Sequence, residues 1–183
     1  MKLQTHHKST KLIIIKYIDQ YFPKSRYESQ DDFSKNIIEL KNKNNNYIDI
    51  FFHLLKGKIK KNPKTVICVV PSSKIAKRES GIRELAFKLK NYCQLTTGLQ
   101  ILHRGKDIPS KHERKSLVSY EEQYNSLYLI DINIIKDKNV LLLDDVVTSG
   151  NTLFACSNLL LENRAKQITC IVLGKTIESK KYD

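Results

Sequence analysis

Two adjacent carboxylates precede a hydroxyl-rich turn in residues 139–153, whose sequence is NVLLLDDVVTSGNTL. The turn, residues 148–152, is expected to open a helix, and the N–H groups at that end of a helix bind anions such as phosphate. Asp144 and Asp145 would repel a phosphate in the turn, so we expect them to bind hydroxyl groups or a cation. A ribose 5-phosphate meets both requirements, with its phosphate on the turn and its hydroxyls on the carboxylates.

The carboxylates and the turn need a strand before them and a helix after them. Residues 139–143 form an apolar run that predicts a buried strand, and Leu153, Cys156 and Leu160 recur at the spacing of a helix face. Ligands in α/β folds bind at the carboxyl ends of the strands, which is where this strand would place the two carboxylates.

The rest of the chain alternates between apolar runs and helical patterns, which predicts an α/β fold. Its central sheet is expected to be mainly parallel and flanked by helices, because several runs are continuously apolar, as in strands buried on both faces. Residues 1–64 are predicted to be an N-terminal elaboration of strand and helices, and residues 65–176 the core. The predicted strands are 11–18, 65–70, 97–102, 126–130, 139–143 and 167–176; the predicted helix faces before the turn are Phe33, Ile37 and Leu40, then Ile48, Phe51, Phe52 and Leu55, then Ile82, Leu85, Ala86 and Leu89.

Length and composition predict one cytoplasmic domain that spans residues 1–183. No apolar run approaches the roughly 20 residues of a membrane span, and the apolar stretch near the N-terminus is too short for a signal peptide. The four cysteines lack the spacing of a zinc site. His6 and His7 have no cysteine or acidic neighbour at ligand spacing and are expected to lie in an exposed tail.

The formal net charge of +13 is concentrated in residues 1–64, which hold 14 Lys/Arg and 6 Asp/Glu. Such a bias suits phosphorylated ligands or nucleic acid. The alternative is a Lys- and Asn-rich composition whose lysines are merely solvated, and for any single lysine this alternative is favoured.

Two other phosphate-binding signatures are excluded, since the chain lacks both the GxxxxGK[ST] lysine and the GxGxxG glycines. The segment VLLLDDVVTSGNTL instead resembles, without a gap, the 5-phosphoribosyl-1-pyrophosphate (PRPP) motif of type I phosphoribosyltransferases. Over residues 65–176 the layout is most similar to the ComF-like branch of that family. The resemblance implies the phosphoribosyltransferase fold, with transfer of 5-phosphoribosyl to a nitrogen base or other acceptor and release of pyrophosphate.

The resemblance also implies a set of site residues. Asp144 and Asp145 would bind the ribose and, directly or through water, Mg²⁺, which would be held mainly by oxygens of PRPP and by water. The pyrophosphate would bind Ser72, Ser73 and Lys74 in VVPSSKIAKR, with Lys77 and Arg78 only steering it. The 5-phosphate would bind Val146, Val147, Thr148, Ser149, Gly150, Asn151 and Thr152.

Members of the family carry a mobile loop that closes over PRPP and excludes water, and residues 103–116 are similar in position. Its candidate cations are Arg104, Lys106, Lys111 and Arg114. A solvated loop without such a role is the alternative, and it is favoured for each residue taken singly.

The acceptor is left open by the motif. Purine-salvage members have an Asp at the position of Thr148, so the resemblance makes hypoxanthine–guanine salvage less favoured. A base-binding hood would have to come from residues 1–64, where Tyr17, Tyr21, Phe22 and Tyr27 could stack on a base or simply pack in the core. The alternative function is a non-catalytic PRPP-sensing or nucleic-acid-associated ComF-like protein, and the family also implies a homodimer.

Overall fold

The computed structural model describes residues 1–8, 11–24, 27, 29–77, 79–109 and 118–177. Within these ranges, no helix is both long enough and apolar enough to cross a membrane. The strands are β1 Lys2–Lys8, β2 Lys11–Tyr21, β3 Thr65–Val69, β4 Thr96–Thr97, β5 Leu102–Arg104, β6 Leu127–Leu129, β7 Asn139–Val147 and β8 Gln167–Thr176, and the helices are α1 Asp32–Lys41, α2 Asn45–Lys56, α3 Gly81–Tyr92, α4 Tyr120–Asn125 and α5 Asn151–Glu162.

Six strands form the central sheet in the order β1-β2-β8-β7-β3-β4. All neighbouring pairs are parallel except β1 with β2, which are antiparallel. The two strands at its centre, β7 and β8, are paired on both sides, so their backbone groups are satisfied within the sheet. The prediction of an α/β fold with a mainly parallel sheet flanked by helices is confirmed.

Both faces of the sheet are covered, which explains why its strands are apolar without alternation. In β7, Val140 and Leu142 join a core cluster with Leu153 of α5, whereas Leu141 and Leu143 join a second cluster with the three earlier helices. The sheet is therefore the middle of three layers, with α4 and α5 on one face and α1, α2 and α3 on the other.

The N-terminal residues contribute both to the sheet and to one covering layer. Strand β2 pairs in parallel with β8 along most of its length, from Ile13↔Ile168 to Tyr21↔Thr176. The predicted faces of α1 and α2 are buried in the second cluster, where Ile37 and Phe51 are fully inaccessible to solvent. Helix α1 is capped by Asp31, whose side chain accepts a hydrogen bond from the Ser34 N–H.

The predicted strand at 97–102 is wrong. The chain leaves β4 after Thr97 and turns at Gly98, whose N–H donates to the Ile67 carbonyl 2.9 Å away. A Cβ at Gly98 would lie 2.5 Å from Val66 Cγ1 and 2.7 Å from Cys68 Sγ, so the turn packs directly on β3.

The strand predicted at 126–130 is shorter and lies outside the central sheet. It forms β6, which pairs antiparallel with β5 in a separate two-stranded sheet. The apolar residues in this part of the chain gave no sign of which sheet they would join, because strand pairing is decided by tertiary contacts.

Two further boundaries differ from expectation. Strand β7 continues to Val147 rather than ending at residue 143, because its register with β8 runs on from Asp144↔Val172 to Val147↔Lys175. His6 and His7, expected in an exposed tail, lie in the edge strand β1, Lys2–Lys8. The polar sequence of β1 lacks the apolar alternation of a strand, but pairing with β2 supplies partners for its backbone.

Candidate functional site

The two carboxylates lie inside β7, just before its carboxyl end. The backbone N–H of Asp145 donates to Oδ1 of Asp144 at 2.9 Å. Successive residues of a strand point to opposite faces, yet both carboxylates line one cavity of about 300 Å³ at the edge of the sheet. This cavity therefore straddles the end of the strand, and we refer to it as the carboxylate cavity.

The carboxylate cavity brings together residues from separate predicted segments. Ser72 and Ser73, from the loop after β3, face it together with Thr152 at the start of α5. Lys77 also lines it, although the sequence assigned Lys77 only a steering role. Arg78 lies outside the described residues.

Lys74 does not line the carboxylate cavity. Its N–H donates to Ser72 Oγ at 3.2 Å, which helps to shape the loop. Its ammonium lies 3.8 Å from Asp107 Oδ2 and borders a small neighbouring cavity of about 50 Å³. The structure therefore places Lys74 apart from the two serines with which the sequence grouped it.

Lys41, the last residue of α1, also enters the carboxylate cavity. Its Nζ lies 3.2 Å from Oδ1 of Asp145 and 5.8 Å from the centre of the Tyr21 ring. Burial alone would lower the pKa of Lys41, but the charge of Asp145 and its hydrogen bond outweigh burial and raise it. Sequence reasoning missed this residue, because nothing in the lysine-rich segment distinguishes it from Lys43.

Asp144 is in a different electrostatic environment from its neighbour. Burial, together with the adjacent charge of Asp145, raises the pKa of Asp144 to about 8, against smaller opposing effects of the Asp145 backbone N–H, Lys41 and Arg104. A carboxyl that resists ionisation next to one held in an ion pair is typical of functional sites.

The turn after β7 depends on a left-handed glycine. Gly150 has φ +84°, and a Cβ there would lie 3.0 Å from Cε2 of Phe154. Gly150 is also the N-cap residue of α5, and because it has no side chain it makes no capping hydrogen bond to the first N–H groups of the helix. Helix α5 thus begins with N–H groups facing the turn, which is a favourable arrangement for an anion. Asn151 Nδ2 donates to the Val118 carbonyl at 2.8 Å and fixes the start of the helix.

Thr148, Ser149 and Gly150 line a second cavity, of about 540 Å³, on the α5 side of the sheet. Its other wall comes from β2 and β8, including Tyr17 and Lys175. The Oγ1 atoms of Thr148 and Thr176 lie 3.1 Å apart and share a hydrogen bond. We call this the turn cavity.

The two valines of the motif point to opposite sides. Val147 lines the turn cavity, whereas Val146 packs against the core cluster formed by α1, α2 and α3. Val146 therefore contributes to the site through its backbone position only.

Arg104 differs from the expectation of a residue in a closing loop. It lies on β5, is 6% exposed, and donates through Nε to the Ser72 carbonyl at 3.2 Å. Its Nη1 donates to Gln123 Oε1 at 3.0 Å and to Ser126 Oγ. Burial lowers the pKa of Arg104, with the nearby Cys156 and Asp144 opposing that effect. Arg104 is thus a fixed residue that lines the carboxylate cavity and supports the loop after β3.

The other proposed loop cations do not gather at the site in the described part of the chain. Lys106 is exposed, and Lys111 and Arg114 lie outside the described residues.

The N-terminal aromatic residues are divided between cavity and core. Tyr17 lines the turn cavity, where the Lys175 ammonium lies 5.6 Å from its ring centre. Tyr21 packs against the second core cluster. Phe22 and Tyr27 meet edge to face with ring centres 5.1 Å apart.

The donor set of the carboxylate cavity fits a hard cation that brings its own ligands. Carboxylate oxygens are the protein ligands that Mg²⁺ prefers, and it usually keeps several waters or substrate oxygens. Throughout the described ranges, no group of three or more His, Cys, Asp or Glu side chains could hold a metal by itself. Asp144 and Asp145 would therefore be two of its ligands, directly or through water.

Comparison with known proteins gives alignments to solved structures and a match to one family model. A hypoxanthine phosphoribosyltransferase from Staphylococcus aureus aligns with TM-score 0.42 and 14% identity over 80% of this chain and 76% of that chain. A hypoxanthine-guanine phosphoribosyltransferase from Bacillus anthracis aligns with TM-score 0.43 and 15% identity over 80% and 75%.

No sequence match to a curated protein was found. The family model described as a phosphoribosyl transferase domain matches residues 82–183, which is more than half of the chain and includes the carboxylates, the turn and α5. The chain therefore belongs to the phosphoribosyl transferase domain family.

Proposed function

We propose that the protein transfers the 5-phosphoribosyl group of PRPP to a nitrogen base and releases pyrophosphate. The observation that supports this proposal is that two cavities are lined by consecutive residues at the carboxyl end of β7 and in the turn after it. A carboxylate pair occupies one cavity, and a glycine-containing helix N-terminus occupies the other. PRPP carries ribose hydroxyls that suit the carboxylates and phosphates that suit the helix N-terminus.

In the proposed complex, the 5-phosphate binds the turn at residues 148–152, and the ribose hydroxyls donate to Asp144 and Asp145. The pyrophosphate extends toward Ser72 and Ser73, which face the same cavity as the carboxylates. Lys77 is the described cation of that loop best placed to meet it, and Lys74 would act through the shape of the loop.

The reaction breaks the bond between C1 of the ribose and the pyrophosphate oxygen, and the bonding electrons leave with pyrophosphate. A ring nitrogen of the acceptor forms the new bond to C1, and the acceptor loses the proton that this nitrogen carried. The carboxylates would stabilise the positive charge that develops on the sugar, while the loop after β3 holds the leaving group. Mg²⁺, when bound, would neutralise part of the phosphate charge.

The acceptor is proposed to be a base other than hypoxanthine or guanine. Thr148 stands where purine-salvage members of the family have an Asp, and its hydroxyl is shared with Thr176. The turn cavity, with Tyr17 and Lys175 on its wall, offers an aromatic ring and a cation beside the turn. We also propose that residues 1–64 complete a single domain and supply the hood.

The experiment is incubation of the protein with Mg²⁺, PRPP and a panel of nucleobases while pyrophosphate release is measured. We expect release with at least one base and none above background with hypoxanthine or guanine. Absence of pyrophosphate release across the whole panel would contradict the proposed enzymatic function and favour the second candidate function.

The second candidate is a non-catalytic PRPP-sensing or nucleic-acid-associated ComF-like protein. It is favoured by a basic and aromatic surface at the C-terminal ends of α2 and α3, where Lys56 and Lys61 lie 5.7 and 5.0 Å from the ring centre of Tyr92. If this surface binds nucleic acid, log K falls linearly with log salt concentration. No binding to single- or double-stranded DNA or to RNA at low salt would remove this candidate.

A further inference from the structure

The ammonium group of Lys41 lies where it compensates the carboxylate pair in the free protein. It is 3.2 Å from Asp145 Oδ1 and lines the same cavity as Asp144, Ser72 and Ser73. Lys41 lies on α1, outside residues 82–183, which the family model matches. The carboxylates therefore meet a cation from the N-terminal elaboration of this chain.

The position of Lys41 is fixed by a close contact between helices. Gly81 begins α3 at the C-terminal end of α1, and a Cβ at Gly81 would lie only 1.8 Å from the carbonyl oxygen of Leu40. The two backbones touch at the residue immediately before Lys41, so the end of α1 cannot withdraw without breaking this contact. The ammonium also lies 5.8 Å from the centre of the Tyr21 ring.

An ammonium beside Asp145 opposes the binding of a divalent cation at the same carboxylate, because like charges a few ångströms apart repel strongly in a partly buried site. The same ammonium attracts a polyphosphate that enters between the carboxylates and the loop after β3. The side chain has four rotatable carbons, so it can change partners without movement of α1.

We infer that Lys41 is an internal counter-cation that holds Asp145 in the free protein, keeps free Mg²⁺ out of the carboxylate cavity, and transfers to the phosphates of the incoming substrate. The metal then enters together with its phosphate ligand rather than ahead of it. Lys41 acts in this way as a positioning residue. The inference rests on the proposed function only for the identity of the phosphate compound.

The test measures Mn²⁺ binding, by electron paramagnetic resonance, to the full-length protein without any phosphate compound. Lys41→Met is expected to bind Mn²⁺ at least about tenfold more tightly than the wild type, because the competing charge is gone. Lys41→Arg keeps the charge and is expected to stay near the wild type.

The matched control is Lys43→Met, two residues along the chain. Lys43 pairs with Glu79 at 2.7 Å and with Glu84 at 3.6 Å, and it does not line the carboxylate cavity. We expect no change in its Mn²⁺ affinity. Unchanged affinity in Lys41→Met, or an equal change in Lys43→Met, would overturn the inference. Lys41→Gln, which retains a donor to Asp145, is the second variant if Lys41→Met does not fold.

A second readout separates this inference from the proposed function. In the presence of a chelator, Lys41→Met is expected to bind PRPP at least about tenfold more weakly than the wild type. If the wild type binds PRPP and both Lys41 readouts are unchanged, only the inference fails. If the wild type binds no PRPP with or without Mg²⁺, the proposed function fails, and the Mn²⁺ comparison still decides whether Lys41 excludes metal.

Discussion

At the scale of single residues, Asp144 is placed where stability and function oppose each other. Burial and the charge of Asp145 together raise the pKa of Asp144 to about 8. Below the pKa of an unfolded Asp, about 3.9, the group is protonated in both states and contributes nothing. Above it, the folded state resists ionisation, so this group lowers stability progressively as the pH rises from about 4 to about 8.

The variant Asp144→Asn is therefore expected to be more stable than the wild type at pH 8. Asn resembles the protonated acid and can still accept from the Asp145 N–H. Allowing for partial exposure of the side chain, we expect a gain of about 1–2 kcal/mol at pH 8 that shrinks toward zero by pH 4. Thermal unfolding across this pH range measures it. Asp32→Asn, at an exposed position, serves as the control. A stability difference between Asp144→Asn and the wild type that does not depend on pH would contradict the raised pKa of Asp144.

Gly150 gives a second test at this scale. Its φ of +84° is strained for any residue with a Cβ, and the added methyl would press on Phe154 at 3.0 Å. Gly150→Ala is expected to lose about 1–2 kcal/mol of stability and to bind PRPP more weakly. Gly57→Ala is the matched control, because nothing lies within 4 Å of a Cβ there. Equal denaturation midpoints and equal PRPP affinities for the two variants would contradict the role of the turn.

At the scale of elements, Arg104 connects three pieces of the site. From β5 it donates to the carbonyl of Ser72, in the loop after β3, and to Gln123 and Ser126 at α4. It thereby couples the loop after β3 to the layer that contains α5. A buried guanidinium with several acceptors contributes more than an exposed one, since its loss leaves those acceptors unpaired.

Arg104→Met is expected to lower the free energy of unfolding by about 2–4 kcal/mol and to weaken pyrophosphate binding. Arg104→Lys is expected to restore little of either, because a single ammonium cannot reach all of the acceptors. Chemical denaturation and calorimetry with pyrophosphate measure the two effects. Lys106→Met, an exposed neighbour, should match the wild type, and a wild-type value for Arg104→Met would contradict the supporting role.

The strand, turn and helix around the carboxylates could be predicted from the sequence because each carries a local signal. Residues 139–153 alone contain an apolar run, two adjacent acids and a glycine before a helical pattern. Lys41 carried no such signal, because its position depends on the contact of α1 with Gly81. Arg104 was predicted as a loop cation, but its place on β5 and its bond to Ser72 could not be read from the local pattern. Residues brought in by tertiary contacts are the part that local patterns miss.

The extent of β7 was missed for a related reason. Acidic residues interrupt the apolar run at Asp144, which suggested the end of the strand. The backbone, however, remains paired with β8 through Val147, because ladder hydrogen bonds do not depend on the polarity of the side chains. The carboxylates are consequently held by a rigid strand rather than by a loop, which favours a preorganised site.

At the scale of the whole molecule, the N-terminal residues are built into the same sheet and layers as the rest. Strand β2 pairs with β8, and α1 and α2 share a core cluster with Leu141 and Leu143 of β7. We expect this shared core to make folding cooperative across residues 1–64 and 65–176.

Urea unfolding of the full chain is therefore expected to show a single transition, with the same midpoint by tyrosine fluorescence and by far-ultraviolet circular dichroism. The shared core leaves neither segment able to bury its apolar face alone. Two separated transitions, or different midpoints for the two probes, would contradict the proposed single domain.

In the proposed binding mode, PRPP is held at the carboxyl end of β7 through Asp144 and Asp145. The most direct measurement is calorimetry of Mg²⁺–PRPP binding to the wild type and to the double variant Asp144→Asn with Asp145→Asn. Binding by the wild type and loss of binding in the double variant, with folding retained by circular dichroism, is the predicted result. Equal affinity in the two proteins would contradict the account.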